Sequence, residues 1–486
     1  MFKPTPRHIA TALLAAGILS GCSLAPQYVR PQAPIATAYP GDAAAQPGSS
    51  AGAPQSADAA NAVDTITLGW RQFFPEPRLQ ALIADALENN RDLRTAALNI
   101  QEARAQYNIQ SADRLPTIDA VAAGSRAPTG TGNNIATSYQ VGLSLASFEL
   151  DFFGRVRNLS AAALNQYLAT EEARQAAQIS LVAQVAQAYL AERAFAEQQT
   201  LAQSTLEGRQ SAYKLAQKRF EVGATSALDL RLNDTLVQSA RIALATLARQ
   251  RAQAGNALTL LVGKPLADEP AGPTLSEQNL VTDIPAGLPS DLLTRRPDIR
   301  AAELQLKAAN ANIGAARAAF FPRISLTAGV GTVSNQLSGL FKAGTMAWTV
   351  APQLVLPIFD AGRNRGNLNL AEVRKDLAVV AYEKSIQTAF REVADALVAR
   401  GSLDEQIDAQ QAFLDAQAER LKLADLRYQN GVASSIEVLD AQRDLFAAQQ
   451  SLVQTRLLRL TNAIDLYRAL GGGLNESAAL APTAAK

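Results

Sequence analysis

The feature that most constrains the fold is an internal duplication, in which landmarks return in the same order about 206 to 208 residues later. A repeat at a fixed offset indicates structurally equivalent units. Four landmarks recur: Asn89–Arg94 as Arg295–Arg300, Leu115–Pro116 as Phe321–Pro322, Phe153–Arg155 as Ala361–Arg363, and Arg219–Gly223 as Arg427–Gly431. The sequence therefore predicts two tandem repeats, residues 70–283 and 284–473, with the same order of elements.

Each repeat opens with a helical stretch that leads into a pair of strands. The helical stretches, Asp92–Leu115 and Asp298–Phe321, stop at prolines, because the residue before a proline is pushed out of helical geometry. Beyond each proline, apolar residues alternate with small or polar ones, with the period of two expected for a strand that has one apolar face. The alternating runs are Ile118–Gly124 and Gln140–Leu145 in the first repeat, and Ile324–Gly331 and Trp348–Leu356 in the second. Two β-hairpins are predicted, with strands about as long as a tilted membrane strand requires.

Two long helices follow the hairpins. Arg155–Val222 and Arg363–Asn430 contain no proline and are rich in Ala, Gln, Leu and Glu, which favours helices of roughly 100 Å. Gly223 and Gly431 supply the left-handed residue that commonly ends a helix. Capping boxes at Ser226–Asp229 and Ser434–Glu437 then predict return helices, so that each repeat forms a helical hairpin.

The last return helix carries a heptad pattern. Apolar or long side chains recur at steps of three and four, which predicts coiled-coil packing. The positions are Ile436, Leu439, Arg443, Phe446, Gln450, Val453, Leu457, Leu460, Ile464 and Tyr467.

The N-terminus predicts export and a lipid anchor. Basic residues precede a short apolar run, Ile9–Leu19, which is typical of a signal peptide covering residues 1–21. The run ends in Leu19-Ser20-Gly21-Cys22, which resembles the lipobox of bacterial lipoproteins, whose cysteine receives N-acyl and S-diacylglycerol chains. A buried free thiol or a chance cysteine is the alternative. Ser23 after the cysteine implies sorting to the outer membrane in that class. Residues 22–69 are rich in Ala, Pro, Gly and Ser and predict an extended tether, and residues 474–486 predict a flexible tail.

Composition removes several function classes. Lys and Arg number 45 against 44 Asp and Glu, so nothing favours a nucleic-acid partner. The only histidine, His8, leaves with the signal peptide, which excludes His-dependent catalysis and His or Cys metal sites. The sequence has no phosphate-binding loop motif, and no run of 18 or more apolar residues follows the signal. No cofactor is expected apart from the lipid on Cys22.

Four strands cannot close a barrel, because an open edge in lipid leaves backbone groups without hydrogen bonds. Copies of the chain must therefore share one barrel. Two copies would give eight strands with a filled interior, whereas three would give twelve strands and a lumen.

Several motifs together resemble the TolC family of outer-membrane factors, most closely the OprM-type (OprM/NodT) lipoproteins of tripartite efflux pumps. Beside the lipobox they are Glu149–Arg155, Gly287–Leu293, Arg295–Asp298, Ala315–Pro322 and Ala469–Gly473. The resemblance implies a mainly α fold with a small membrane β part: a homotrimer whose 12-stranded β-barrel in the outer membrane continues into a 12-helix barrel in the periplasm. It also implies a periplasmic adaptor, an inner-membrane proton-driven (RND) transporter, contact with outer-membrane lipid, and no reaction catalysed by this subunit.

The resemblance also implies a gate at the periplasmic tip. Matched onto this sequence, an aspartate ring falls on Asp440 with an apolar ring at Ile436 one turn earlier. The residues that link neighbouring helices fall on Arg427, Tyr428, Asp229 and Arg443, with a bridge expected between Arg427 and Asp229. Taken alone, Asp440 and Arg443 form an ordinary surface pair three residues apart on a helix.

Three other functions remain open at this point. A coiled-coil lipoprotein that spaces the envelope would explain the helices and the lipid but not the hairpins. A carboxylate-dependent hydrolase lacks a pair of acids in a pocket-forming context. A duct for metal ions or for secreted proteins would share the whole architecture. Trp348 fits either an interfacial aromatic belt or packing against a neighbouring strand.

Overall fold

The computed structural model describes residues 23–39, 68–128, 135–266, 272–278, 280 and 289–474. The predicted signal peptide 1–21, Cys22, residues 40–67 of the predicted tether and residues 475–486 of the predicted tail therefore lie outside the described residues.

The described helices and strands follow the predicted order in both repeats. They are α1 (Trp70–Phe73), α2 (Pro77–Asn89), α3 (Arg91–Ala112), β1 (Ile118–Pro128), β2 (Ile135–Glu149), α4 (Arg155–Glu221), α5 (Ala227–Val262), α6 (Leu292–Arg295), α7 (Pro297–Ala318), β3 (Arg323–Ser334), β4 (Met346–Val355), α8 (Arg363–Gln429) and α9 (Ser435–Ala469), with short 3₁₀ turns at Leu275–Glu277, Pro289–Asp291 and Leu337–Gly339. None of the helices in the described part of the chain combines the length and the apolarity that a membrane span needs.

The two long helices, α4 and α8, contain 67 residues each. The helices before the strands end earlier than predicted, at Ala112 and Ala318. The reason is local: Leu115 N donates to the Ala112 carbonyl and Phe321 N to the Ala318 carbonyl, so the last turn before each proline tightens and leaves α geometry.

The four strands form one antiparallel sheet in the order β1-β2-β3-β4. Ile118 faces Leu145 across the first hairpin, and Ile324 faces Leu354 across the second. β2 and β3 join the two hairpins, and a bulge shifts their register between Leu145 and Phe148. The outer strands β1 and β4 each pair on one side, which leaves two edges of the sheet open within the chain.

The glycine stops are confirmed, but only one of the two capping boxes forms. Gly223 and Gly431 have φ values of 71° and 72°, the left-handed region that ends a helix readily only at glycine. The Ser226 hydroxyl accepts from Asp229 N at 3.1 Å and so caps α5. The Ser434 side chain makes no capping bond to α9, and the glutamate of that predicted box, Glu437, pairs with Arg427.

The heptad positions of α9 are buried towards its C-terminal end, at Val453, Leu460, Ile464 and Tyr467. Nearer its start the prediction is wrong for a single chain: Val438 and Ala441 are buried against Ala424 of α8, whereas Ile436 is 46% exposed.

The chain forms two compact units, and each takes segments from both repeats. Among the described residues, one contains those within 23–33, 98–172 and 300–385, including the sheet. The other contains those within 34–97, 173–299 and 386–474, including the helical hairpin turns. A duplicated sequence therefore does not divide here into one unit per repeat.

The core of the second unit is centred on Tyr467. Its ring stacks on Phe73 at 4.0 Å between centroids, and its hydroxyl donates to the Leu68 carbonyl at 2.8 Å. Burial raises the pKa of this phenol. Buried Arg296, in the same unit, pairs with Asp298 and with Glu392, each at 2.7 Å. The Arg-Arg-Pro-Asp motif of the sequence therefore has a structural role.

The segment Ser23–Ala33, called the strap below, belongs to the predicted extended tether and lies against α7. The Arg30 guanidinium makes two hydrogen bonds to Glu303 of α7, at 3.1 and 2.7 Å, and the Tyr28 hydroxyl donates to the same carboxylate. Near the start of the strap, the Asn310 side chain donates to the Pro26 carbonyl at 2.7 Å. Composition alone indicated that this segment contributes no core element, but Tyr28 and Arg30 bond to the buried carboxylate of Glu303, which lies far away in the sequence.

Candidate functional site

The candidate site is the pair of turns that connect α4 to α5 and α8 to α9. Both turns lie in the second compact unit, so contacts between them are internal to one unit. Each turn has the same construction, a helix that ends at a left-handed glycine followed by a serine at the start of the next helix. Corresponding side chains of the two repeats are thereby brought to the same end of the helices.

Asp229 receives the densest set of hydrogen bonds at this site. The Ser435 hydroxyl of α9 donates to its Oδ1 at 2.5 Å, and Ser226 and Thr225 donate to its Oδ2 at 2.8 and 3.1 Å. The hydrogen bonds from Ser435 and Ser226 lower the pKa of the Asp229 carboxyl. Because Ser435 belongs to the second repeat, this bond ties the two helical hairpins together.

Tyr428 makes the second link between the hairpins. Arg219 Nη1, near the end of α4, donates to the Tyr428 hydroxyl at 2.9 Å. The Arg219 guanidinium also lies 5.7 Å from the centre of the Tyr428 ring, a cation–π distance. Arg219 is exposed and Tyr428 is half-buried against Ala424, Val438 and Ala441, so water can reach the guanidinium side of this contact.

Arg427 does not pair with Asp229 within the chain, contrary to the expected bridge. Its Nη1 lies 3.4 Å from Oε2 of Glu437, three residues into α9, and both side chains are about half exposed. The physical reason is competition. Asp229 is already occupied by three hydroxyl donors, whereas Glu437 is left free by the capping box that does not form.

Asp440 and Arg443 form the pair expected for a helix surface, with Arg443 Nη1 3.0 Å from Asp440 Oδ1. Arg443 also reaches Asp444 at 3.3 Å, and Arg420 of α8 pairs with Asp444 at 2.7 Å. The hydrogen bond from Arg420 lowers the pKa of the Asp444 carboxyl. The acids and bases on this face of α9 are thus mutually paired and accessible to water.

Sequence reasoning missed the partners that complete the two links, Arg219 and Ser435. A usable signal existed, since Arg219 lies 209 residues from Tyr428 and Asp229 lies 206 residues from Ser435, both close to the repeat offset. It also missed Arg209, which is buried, donates to the Leu236 carbonyl at 3.0 Å and lies 5.5 Å from the Phe446 ring centre.

The arrangement suits a conformational switch rather than chemistry. The links are hydrogen bonds and exposed ion pairs, which contribute little to stability in water and break without disturbing a packed core. In the described residues, no three His, Cys, Asp or Glu side chains converge as a metal site would require.

Comparison with known proteins decides the family. The outer membrane efflux protein model matches residues 82–264 and 288–472. The chain belongs to the outer membrane efflux protein family. It is therefore a protein of the TolC type, as the motifs of the sequence indicated. One matched segment lies in each predicted repeat.

Individual relatives agree over almost the whole length. The chain is 47% identical to the outer membrane protein OprJ of Pseudomonas aeruginosa over 483 residues, covering 98% of each. It is 46% identical to the toluene efflux pump outer membrane protein TtgC of Pseudomonas putida, covering 97% of this chain and 96% of the relative. Among solved structures, the open state of the MtrE outer membrane channel of Neisseria gonorrhoeae matches with a TM-score of 0.84 and 44% identity, covering 94% of this chain and all of that one.

The protein is accordingly an outer-membrane channel of an efflux system, with its helical part in the periplasm. The alternatives of a structural spacer and a hydrolase lose their support, because the family is one of transport channels.

Proposed function

We propose that three copies of this chain form a passive, gated exit duct for a tripartite RND-type efflux pump. The observation that carries the proposal is the open four-stranded sheet, whose outer strands β1 and β4 have 11 and 10 residues and, in the part of the chain that the structure describes, no partner on one side. Unpaired backbone groups are costly in lipid, and three copies supply the twelve strands that enclose a lumen.

The energy for export comes from the inner-membrane RND transporter, which also selects the cargo. A periplasmic adaptor joins this chain to the transporter, and this chain catalyses no reaction. The names of the relatives favour antibiotics, solvents or other small toxic compounds as cargo, since TtgC is named for toluene and ArpC for antibiotics.

A lipid on Cys22 would anchor each copy to the outer membrane. The position of Cys22 directly after the apolar run supports this assignment. The strap agrees with an anchor at this end of the chain, because it holds residues that follow Cys22 against α7.

The proposed gate is threefold and belongs mainly to the second helical hairpin. Three Asp440 carboxylates around the axis would repel one another and attract cations, and exposed Ile436 would form an apolar ring beside them. The Asp229–Ser435 and Arg219–Tyr428 bonds would hold the second hairpin against the first, and Arg427 and Arg443 would exchange partners as the tip opens.

We expect Asp440→Ala to raise the single-channel conductance of the protein reconstituted in planar bilayers and to reduce its cation selectivity. The matched control is Asp395→Ala, which removes an exposed carboxylate of α8 that also pairs with an arginine of its own helix, Arg391. Equal conductance and selectivity for Asp440→Ala and wild type would refute the aspartate ring.

The pump assignment is tested by deleting the gene and measuring the minimum inhibitory concentrations of antibiotics and toluene. Sensitivity that is restored by the wild-type gene supports the proposal. Unchanged resistance to all compounds, with lost secretion of a protein or sensitivity to metal ions instead, would refute the proposed cargo.

A further inference from the structure

Arg209 of α4 is a buried cation whose hydrogen-bond acceptors, among the described residues, are all neutral. Its Nη1 donates to the Leu236 carbonyl at 3.0 Å and to the Ser239 hydroxyl at 2.8 Å, both on α5. Its Nε is buried and has no hydrogen-bond partner in the described part of the chain. The residue is 5% exposed, and burial lowers the pKa of its guanidinium. A charge in this position needs compensation from another group, because its removal from water is costly.

The compensation comes from a third helix, α9. The ring centre of Phe446 lies 5.5 Å from the guanidinium carbon of Arg209. The face of an aromatic ring carries partial negative charge and attracts a cation, most strongly where water is excluded. One guanidinium therefore joins α4 and α5 of the first helical hairpin to α9 of the second.

The duplication does not repeat this contact. At the repeat offset of 208 residues, the positions of Arg209 and Phe446 correspond to Gln417 and Gln238. The side chains of these two glutamines make hydrogen bonds within their own helices, α8 and α5. The contact therefore has the same asymmetry as the residues of the proposed gate.

Phe446 lies at a boundary along α9. Ser435, at the start of the helix, bonds to the first hairpin about 16 Å nearer the turn, in a region open to water. On the other side of Phe446, Gln198 of α4 is 6% exposed and donates to the Gln450 carbonyl at 3.4 Å, and Leu452 is buried. Exposed bonds thus hold α9 on the turn side of Phe446, and buried contacts hold it on the other side.

We propose that Arg209 is a positioning residue of the gate, which holds Phe446 and so marks the point on α9 beyond which the helix stays fixed when the tip opens. This inference rests on the proposed gate and adds the residue pair that restrains it. The bonds to α5 fix the guanidinium in place. The start of α9 therefore swings away from the first hairpin only by moving the Phe446 ring off the cation, which leaves a buried charge without compensation. The closed state is favoured as a result.

The restraint is tested on the full-length protein in planar bilayers by the probability that a single channel is open. Phe446→Leu removes the aromatic face but keeps an apolar side chain, and Arg209→Met removes the charge. We expect each variant to raise the open probability at least about fivefold, as the loss of one desolvated cation–π contact implies. The double variant should raise it no further than either single variant, because both changes remove the same contact.

Two further variants separate this restraint from a general loss of packing. Phe446→Tyr keeps the aromatic face and should open as rarely as the wild type. Gln198→Met removes a bond between the same two helices, α4 and α9, on the far side of Phe446, and should also leave the open probability unchanged.

The outcomes distinguish the restraint from the gate itself. Additive effects of Arg209→Met and Phe446→Leu, no effect of either, or equal effects of Phe446→Tyr and Phe446→Leu overturn the restraint, and the gate stands as long as Asp440→Ala still raises conductance. A rise for Gln198→Met equal to that for Phe446→Leu overturns the boundary at Phe446. If Asp440→Ala also has no effect, the proposed gate fails as well.

Discussion

At the scale of single residues, the chain separates two uses of arginine. Arg296 is buried and satisfied on both sides by Asp298 and Glu392, so its charge is part of the core. Arg219, Arg427 and Arg443 hold exposed partners near the hairpin turns, where a bond that breaks is replaced by one to water. The pairs of Arg296 are strong because they are buried, and the pairs near the hairpin turns are weak because they are exposed.

Arg296→Met tests the buried network. Removing one partner of a buried ion pair leaves uncompensated charge and costs about 3–5 kcal/mol, so we expect a clearly lower melting temperature in detergent. Arg391→Met is the control, because its pair with Asp395 is about three-quarters exposed and should contribute at most about 1 kcal/mol. Equal melting temperatures for the two variants would show that the network does not stabilise the fold.

At the scale of elements, the two helical hairpins are joined by the bond from Ser435 to Asp229. Because hydrogen bonds lower the pKa of Asp229, folding favours the charged carboxylate. Its stabilisation is complete above the ordinary carboxyl value of about 3.9, and it is lost as the pH falls through the lowered value.

The lowered pKa of Asp229 determines how its bond to Ser435 depends on pH. Between about pH 8 and about pH 5 the carboxylate stays charged, so the Asp229 link should not change and should add no pH dependence to conductance.

Ser435→Ala should raise conductance at every pH in this range, because it removes the donor from the second hairpin. Thr461→Ala, which removes a hydroxyl bonded within α9, is the matched control. If Ser435→Ala and wild type conduct equally throughout, the bond does not restrain the tip.

The strap provides a second test at this scale. Glu303 is 5% exposed and accepts from both Tyr28 and Arg30. Losing charge-assisted bonds worth about 1.5–3 kcal/mol should open the strap at least about tenfold more often. We expect Glu303→Gln to speed chymotrypsin cleavage after Tyr28 by that factor. Glu419→Gln, at an exposed pair with Lys422 within α8, should leave the rate unchanged, and equal rates in both variants would show that Glu303 does not hold the strap.

Local signals in the sequence predicted most of these elements. Prolines and glycines mark the ends of the helices, and the alternation after Pro116 and Pro322 marks the first strand of each hairpin. The strap was missed because Arg30 meets its partner 273 residues away, which no local pattern encodes. At the tip, Asp229 bonds to Ser435 and Arg427 pairs with Glu437 within the chain, partners that no local pattern specifies.

At the scale of the whole molecule, the duplication repeats the helices and strands but not the residues of the proposed gate. The second repeat has Tyr428, Asp440 and Arg443 where the first has Phe220, Leu232 and Thr235. A ring of three chains would therefore have a wall with six similar segments and a gate with three. The proposed assembly would supply partners for β1 and β4, which each pair on one side only among the described residues.

The assembly of three chains into one channel is tested by the protein mass of the purified channel in detergent, measured by sedimentation equilibrium with the detergent density-matched. We expect a single species of three chains that persists on dilution and at high salt. A stable single chain that still conducts ions when reconstituted would contradict it.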